Sequence, residues 1–118
     1  MISAVVTGAA RGLGAAIVRR IAGPSVHVVA TDIDGDGLRR MAQSTAFPIS
    51  TLVADVQDPG SHMAAADLAE KAAPLGWWVN NAGIDVQAAA HEVEPEDLER
   101  ALRVLQFGPM FGTCTAVR

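Results

Sequence analysis

The sequence of 118 residues predicts an α/β fold in which helices cover both faces of a doubly wound parallel sheet. The first observation behind this prediction is order, because short apolar runs alternate with segments of helical periodicity as βαβαβαβα. The second is that the apolar runs are too continuous for strands that bury only one face, which is typical of parallel strands. Right-handed crossovers then favour about four strands in the spatial order 3-2-1-4. We expect a single domain over residues 1–118.

The first crossover joins two strands through a helix. Residues 3–6 form a short run that is typical of a buried strand, and a glycine-rich turn follows it. Large apolar residues within 13–21 then recur every four positions, as they do on the buried side of a helix, and Gly23-Pro24 ends that helix. The second strand is predicted at 26–31.

The middle of the chain repeats the same alternation. Residues 36–43 predict a short helix with its apolar residues on one side, and 49–53 predict the third strand. An alanine-rich helix over 58–73 begins with an Asp-Pro pair, in which the Asp caps the helix and the Pro takes its first position. The fourth strand is predicted at 76–79.

The last predicted helix begins at Pro95. Leu98, Leu102 and Leu105 keep helical spacing along it, so we expect these three leucines to face the core. The single cysteine, Cys114, is expected to be a small buried hydrophobic residue.

Composition argues against several classes of function. The net charge is -4 and no run of basic residues exceeds a pair, so no partner among nucleic acids or anionic membranes is expected. One cysteine excludes an internal disulfide, and the three histidines share no metal-ligand spacing, so no metal site is assigned. Without a long apolar stretch or a targeting segment, a cytoplasmic location is expected. The chain contains no tyrosine, and Lys71 is its only lysine.

The strongest chemical signal is the turn after the first strand, which reads Thr7-Gly8-Ala9-Ala10-Arg11-Gly12-Leu13-Gly14. Glycines permit positive φ and let the backbone approach a ligand closely, while free N–H groups at the start of the next helix favour a pyrophosphate. A tight turn that only packs a helix on a strand is the alternative interpretation. The position of this turn between a strand and a helix, at the first crossover, favours phosphate binding.

Asp32 gives the second signal, at the end of the second strand and eighteen positions after Gly14. A carboxylate there can accept hydrogen bonds from both adenine-ribose hydroxyls and would repel a 2′-phosphate, which favours NAD over NADP. Arg11 points the other way, because a guanidinium can pair with that phosphate, but Asp32 bears more directly on the discriminating group. A capping or solvated turn carboxylate is the alternative interpretation of Asp32.

Two further motifs complete a pattern: Asp55-Val56 after the third strand and Asn80-Asn81-Ala82-Gly83 after the fourth. With the glycine-rich turn and Asp32, they resemble the classical short-chain dehydrogenases/reductases, in the family's order. The resemblance covers essentially the whole chain but only the N-terminal half of the family pattern, and it implies a Rossmann-type fold.

The resemblance also implies roles for the residues that match the family's motifs. Gly8 to Gly14 would cradle the pyrophosphate of NAD, and Asp32, with Ile33 beside it, would hold the adenine ribose. Asp55 and Val56 would border the adenine. Asn81, Ala82 and Gly83 would line the cofactor cleft.

Two departures from the family concern catalysis. Family members continue to a catalytic Ser and a Tyr-x-x-x-Lys helix, in which the Tyr exchanges the proton, and this sequence reaches Arg118 before either element. We therefore expect a chain truncated before those elements. The family usually has Asn-Leu-x-Gly in the preceding helix, where the Asn supports a proton-relay water, whereas this chain has Leu105-Gln106-Phe107-Gly108. No catalytic residue is assigned, because no group suited to acid-base catalysis is visible.

Three interpretations stay open at this point. The chain is the NAD-binding portion of an alcohol/ketone oxidoreductase that takes Ser, Tyr and Lys from elsewhere, a non-catalytic NAD-binding module, or a structural protein that keeps the fold alone. An unpaired strand edge and an uncovered helix face at 95–117 predict a homo-oligomer or association with a complementing half.

Overall fold

A four-stranded parallel sheet in the order β3-β2-β1-β4 forms the centre of the computed structural model, which describes all 118 residues. The strands are β1 Ile2–Thr7, β2 Val26–Asp32, β3 Ser50–Val53 and β4 Leu75–Val79. The helices are α1 Gly12–Ile21, α2 Gly35–Gln43, α3 Pro59–Ala72, α4 Pro95–Leu102 and α5 Gly108–Ala116. A π-helical turn, Arg103–Phe107, joins α4 to α5. The predicted fold class and strand order are confirmed.

The central strands are buried on both faces, which explains their continuous apolar sequence. Val5 and Val6 are neighbours in β1 and both are fully buried, although their side chains point to opposite faces. Val6 packs in the larger core cluster with Val18 of α1 and Leu38 of α2. Val5 packs on the other face with alanines of α3, among them Ala69. Helices therefore cover both faces of the sheet.

Side-chain caps fix where two of the helices begin. The carboxylate of Asp34 accepts a hydrogen bond from the Gly37 N–H, 2.9 Å away, and starts α2. Asp58 accepts from the Gly60 N–H at 2.9 Å, and Pro59 occupies the first position of α3. The predicted cap of α3 is confirmed. Each cap satisfies a backbone donor that the helix itself leaves free.

The prediction that three leucines of the last helix face the core is wrong. Leu98, Leu102 and Leu105 are exposed by 53 to 55%, and α4 has no buried residue. Val104 is buried instead, with 7% exposure. Spacing identified an apolar stripe, but burial also requires a neighbouring surface, and the described residues place none over this stripe.

The π-helical turn has a local cause in Pro109. A proline inside an α-helix donates no hydrogen bond, and its ring clashes with the carbonyl four residues earlier, here that of Leu105. The turn ends two residues before Pro109, and the Gly108 N–H donates to the carbonyl of Arg103, five residues back. The buried residues of this segment, Val104, Gly108 and Gly112, keep helical spacing, so the inward side continues through the turn and lies beside the leucine stripe. Cys114, further along α5, is exposed, so its predicted burial is also wrong.

None of the five α-helices has both the length and the apolar character that crossing a bilayer requires.

Candidate functional site

A cleft of about 650 Å³ opens where the four strands end, between the loops that follow them. Open α/β sheets bind ligands in a crevice outside the carboxyl ends of their strands. β1 contributes the glycine-rich turn, β2 contributes 32–34, β3 contributes 54–57 and β4 contributes 81–84. Arg100 of α4 and Val104 complete the wall.

Three glycines shape the turn after β1. Gly8 and Gly12 have φ of 66° and 57°, and no other residue in the chain has a positive φ. A Cβ on Gly14 would overlap the carbonyl oxygen of Gly8, and a Cβ on Gly8 would lie 2.6 Å from the Ala82 Cα. A Cβ on Gly12, in contrast, would meet nothing within 4 Å. Backbone therefore packs on backbone behind the turn, while Gly12 borders open space at the cleft.

Thr7 and Asn81 tie this turn to the loop after β4. The Thr7 hydroxyl accepts hydrogen bonds from the N–H groups of Asn81 and Ala82, both at 3.1 Å, and donates to the Val79 carbonyl at 3.4 Å. The Asn81 side chain donates to the carbonyls of Thr7 and Gly8, both at 3.0 Å. Sequence reasoning quoted Thr7 within the motif but gave it no role. Its polarity at the end of a valine-rich strand was the available signal.

The start of α1 differs from that of α2. The residue before α1, Arg11, makes no side-chain cap, and the first turn of α1 contains no acidic residue. α2 has both, through Asp34 and Asp36. No side chain therefore satisfies the first N–H groups of α1, and Gly12, which follows Arg11, lines the cleft. An anion is favoured at such a helix end, and the exposed Arg11 side chain adds a positive charge beside it.

Asp32 lies half-buried across the cleft. One carboxylate oxygen accepts a hydrogen bond from the Ala10 N–H and the other from the Asp34 N–H, each at 3.0 Å. Each oxygen keeps a further lone pair, so the group can still accept donors from a ligand. Ala9 and Ala10 stand apart from the other predicted residues, because both are buried in the core and neither lines the cleft.

The loop after β3 forms another wall. Asp55 accepts a hydrogen bond from the Gln57 N–H at 2.9 Å, and the Ala54 N–H donates to the Asp32 carbonyl at 3.0 Å. The structure thus brings together the predicted residues of the turn other than the two alanines with those of the later loops: Gly8, Arg11, Gly12, Leu13, Gly14, Asp32, Ile33, Asp55, Val56, Asn81, Ala82 and Gly83. Sequence reasoning did not find the other lining residues: Asp34, Ala54, Gln57, Ile84, Arg100 and Val104. Arg100 and Val104 lie shortly before the Leu105-Gln106-Phe107-Gly108 segment, but neither carried a signal of its own, because spacing had assigned the inward side to the leucines.

Leu105 lies at the margin of the cleft. One of its methyl carbons would be 3.3 Å from a Cβ placed on Gly83, so the side chain packs beside that glycine. It is 53% exposed and offers no hydrogen bond. This position cannot support a proton relay through its side chain.

The three histidines are far from equivalent. His27 hydrogen-bonds Ser50 Oγ at 2.9 Å, His62 is buried, and His91 is exposed in a loop. No group of three or more His, Cys, Asp or Glu side chains is placed to hold a metal ion.

Comparison with known proteins gives one consistent result. The family model described as short chain dehydrogenase matches residues 3–118. The chain is 40% identical over 86 residues to a 1-deoxy-11-beta-hydroxypentalenate dehydrogenase of Streptomyces avermitilis, a match that covers 70% of this chain and 32% of that protein.

Solved structures agree with the sequence comparison. A 3-ketoacyl-(acyl-carrier-protein) reductase from Brucella melitensis, complexed with NADH, matches with a TM-score of 0.87 and 31% identity, over 96% of this chain and 47% of that one. A short chain dehydrogenase/reductase from Burkholderia phymatum, in complex with NAD, matches with a TM-score of 0.89 and 25% identity, over 97% of this chain and 42% of that one. The chain spans less than half the length of these relatives.

Proposed function

This chain belongs to the short-chain dehydrogenase family, and we propose that its 118 residues form the NAD-binding portion of an oxidoreductase that interconverts an alcohol and a ketone. One observation carries the proposal. The uncapped start of α1 and the Asp32 carboxylate face one cleft at the carboxyl end of the sheet. A dinucleotide needs both features, one for its phosphates and one for its ribose.

The phosphates fit the glycine-rich turn. Gly12 leaves room at the cleft, and the backbone N–H groups at the start of α1 supply donors without a competing side-chain cap. Arg11 adds a positive charge at the same end. We assign the pyrophosphate to the turn from Gly8 to Gly14, in which Ala9 and Ala10 support the backbone from the core.

The adenosine end fits the walls formed by β2 and β3. Asp32 can accept hydrogen bonds from the ribose hydroxyls while its backbone contacts hold it in place. The same carboxylate would repel a 2′-phosphate, so we propose NAD rather than NADP. Ile33, Asp55 and Val56 would border the adenosine, and Asn81 to Gly83 would line the cleft on the β4 side. The NADH and NAD complexes of the two solved relatives support a nicotinamide dinucleotide as the ligand of this cleft.

Hydride transfer is chemistry that NAD supplies when bound, and the protein contributes position and a proton. The residues described above contribute position. A proton donor of the Tyr-x-x-x-Lys type has no counterpart here, since the chain has no tyrosine, and Leu105 replaces the relay asparagine. We therefore propose that Ser, Tyr and Lys act from outside these 118 residues. The same two observations favour, as the second candidate, a module that binds NAD without catalysis.

Calorimetric titration of Asp32 variants tests the proposal. We expect Asp32→Asn to bind NAD about tenfold or more weakly, because a charged acceptor of two hydroxyl groups becomes neutral, and to lose the preference for NAD over NADP. Asp67→Asn is the matched control, because Asp67 is exposed on α3 outside the cleft. Equal NAD affinity in the wild type and in Asp32→Asn, or no saturable NAD binding by the wild type, would contradict the proposal. Turnover by the isolated chain would show that its proton donor lies within these residues.

A further inference from the structure

His62, in the first turn of α3, is a polar side chain in an apolar place. It is 2% exposed, and its ring lies against those of Trp78 and Phe111, with centroids 5.9 and 6.2 Å away. Burying a polar ring costs free energy unless the ring is hydrogen-bonded. An aliphatic side chain would fill the same space without that cost, so the hydrogen bond of this ring is the informative feature.

That hydrogen bond ends on the wall of the cleft. His62 Nε2 lies 2.8 Å from the carbonyl oxygen of Val56. A carbonyl can only accept, so Nε2 carries the hydrogen and donates it. Val56 lines the cleft, whereas His62 does not. The His62 ring therefore affects the cleft only indirectly, through its hydrogen bond to the backbone of Val56.

The loop 54–57 has few other restraints from side chains. The Asp55 carboxylate bonds only within the loop, to Gln57. His62 makes the only side-chain hydrogen bond that reaches this loop from outside it. On its other side, Val56 packs closely on Gly108, where an added Cβ would lie 3.0 Å from a methyl carbon of Val56. The loop is held between a hydrogen bond from α3 and a backbone contact from α5.

We propose that His62 is a positioning residue for the adenine end of the cleft. By holding the Val56 carbonyl, it fixes the wall 54–57 in the shape that receives adenosine, and so raises affinity for that part of the dinucleotide. This inference rests on the proposed function, because it takes the cleft to be an NAD site. It concerns the adenosine half only, since the turn from Gly8 to Gly14 is held by other bonds, those of Thr7 and Asn81.

The experiment compares His62→Phe, which keeps a flat ring but removes the donor, with His62→Gln, which restores an N–H donor. NAD, AMP and nicotinamide mononucleotide are titrated into each variant of the 118-residue chain. We expect His62→Phe to bind NAD and AMP about tenfold more weakly and nicotinamide mononucleotide unchanged, because an orphaned carbonyl frees only the adenine wall. His62→Gln should recover most of the loss. His91→Gln, at an exposed position, is the control.

A structural role alone would weaken both half-ligands together, and this result would overturn the inference. Unchanged AMP binding by a folded His62→Phe would overturn it as well, while NAD binding by the wild type would leave the proposed function standing. No NAD binding by the wild type would remove both.

If His62→Phe does not fold, nitrogen-15 NMR of the wild type gives the answer. The His62 Nε2–H resonance, identified by its absence in His62→Gln, should shift on addition of AMP and not on addition of nicotinamide mononucleotide. A resonance that AMP leaves unmoved would overturn the inference.

Discussion

The centre of the sheet and its β4 edge are covered to different degrees. We call β1 and β2 with α1 and α2 the closed part, and β4 with the segment from α4 to α5 the open part. Around β1 and β2, the strand interiors are fully buried, and α1 and α2 cover them with Val18 and Leu38, which are 0 and 1% exposed. Beyond β1, β4 ends the sheet with Trp77 48% exposed. The segment from α4 to α5 exposes five large apolar side chains by 42 to 55%: Leu98, Leu102, Leu105, Phe107 and Met110.

This difference separates what the chain completes by itself from what it leaves available. The closed part, which carries the glycine-rich turn and Asp32, covers its core with its own helices. The open part has apolar surface for a further layer, and the chain spans less than half the length of the relatives to which it was compared. The proposed nucleotide site draws on both parts, because the glycine-rich turn and Asp32 lie in the closed part whereas Asn81 to Gly83 follow β4.

The largest expected effect is that of Gly14→Ala, which alters the packing of the closed part. Its Cβ would overlap the Gly8 carbonyl oxygen, so the turn or α1 must move, and we expect a loss of about 4 kcal/mol or more of unfolding free energy together with NAD binding. Urea denaturation measures the first and calorimetry the second. Gly23→Ala is the control, since its Cβ meets only one atom, at 3.9 Å. Equal stability of the two variants would refute the close packing behind the turn.

A pair of leucine truncations, one in α2 and one in α4, compares the closed and open parts directly. Leu38→Ala empties a fully buried site of α2 and should cost about 3 kcal/mol, whereas Leu102→Ala on α4 should cost less than about 1 kcal/mol. Thermal and urea denaturation of dilute protein measure both losses. Similar losses in the two variants would show that the open part is as well covered as the closed part.

Thr7→Val tests the hydrogen bonds that connect the end of β1, in the closed part, to the loop after β4, in the open part. It removes a hydroxyl that accepts from two backbone N–H groups, those of Asn81 and Ala82, and should cost about 2 kcal/mol. Thr7→Ser keeps the hydroxyl and serves as the comparison. In denaturant titrations, we expect the Ser variant to retain most of the stability that the Val variant loses. A Val variant as stable as the wild type would contradict a role for this hydroxyl.

The smallest expected effect on the fold comes from Leu102→Glu. Because this side chain is exposed, we expect the free energy of unfolding to change by less than about 0.5 kcal/mol. Its effect on assembly should be larger, because we propose that the exposed apolar residues between α4 and α5 drive self-association. Light scattering at micromolar concentration should give a multiple of the monomer mass for the wild type and a lower mass for the variant. A sharp monomeric mass for the wild type would remove the proposal.

The closed part was the more predictable of the two from sequence. Continuous apolar strands, the glycine-rich turn and the Asp-Pro start of α3 are local signals, and local geometry is sufficient to place Asp32 and Asn81 at the carboxyl edge of the sheet. Ala9 and Ala10 show the limit of a motif. Both belong to the glycine-rich motif, but their side chains are buried in the core and do not line the cleft.

In the open part, the burial of side chains was poorly predicted, for physical reasons. Helical spacing identifies which residues of α4 share a side, but a stripe is buried only where a second surface meets it. The buried residues of this segment, Val104 and Gly108, lie beside the leucine stripe and are smaller than the leucines, so the apolar pattern indicated the wrong side. Arg100 and Val104 reach the cleft only through this tertiary arrangement.

Hydrogen–deuterium exchange with and without saturating NAD tests the central assignment most directly, because it locates the ligand on the chain. We expect protection at 8–14, 32–34, 54–57 and 81–83, with no change in α5 beyond Pro109. Unchanged exchange throughout, or protection confined to α4 and α5, would contradict it.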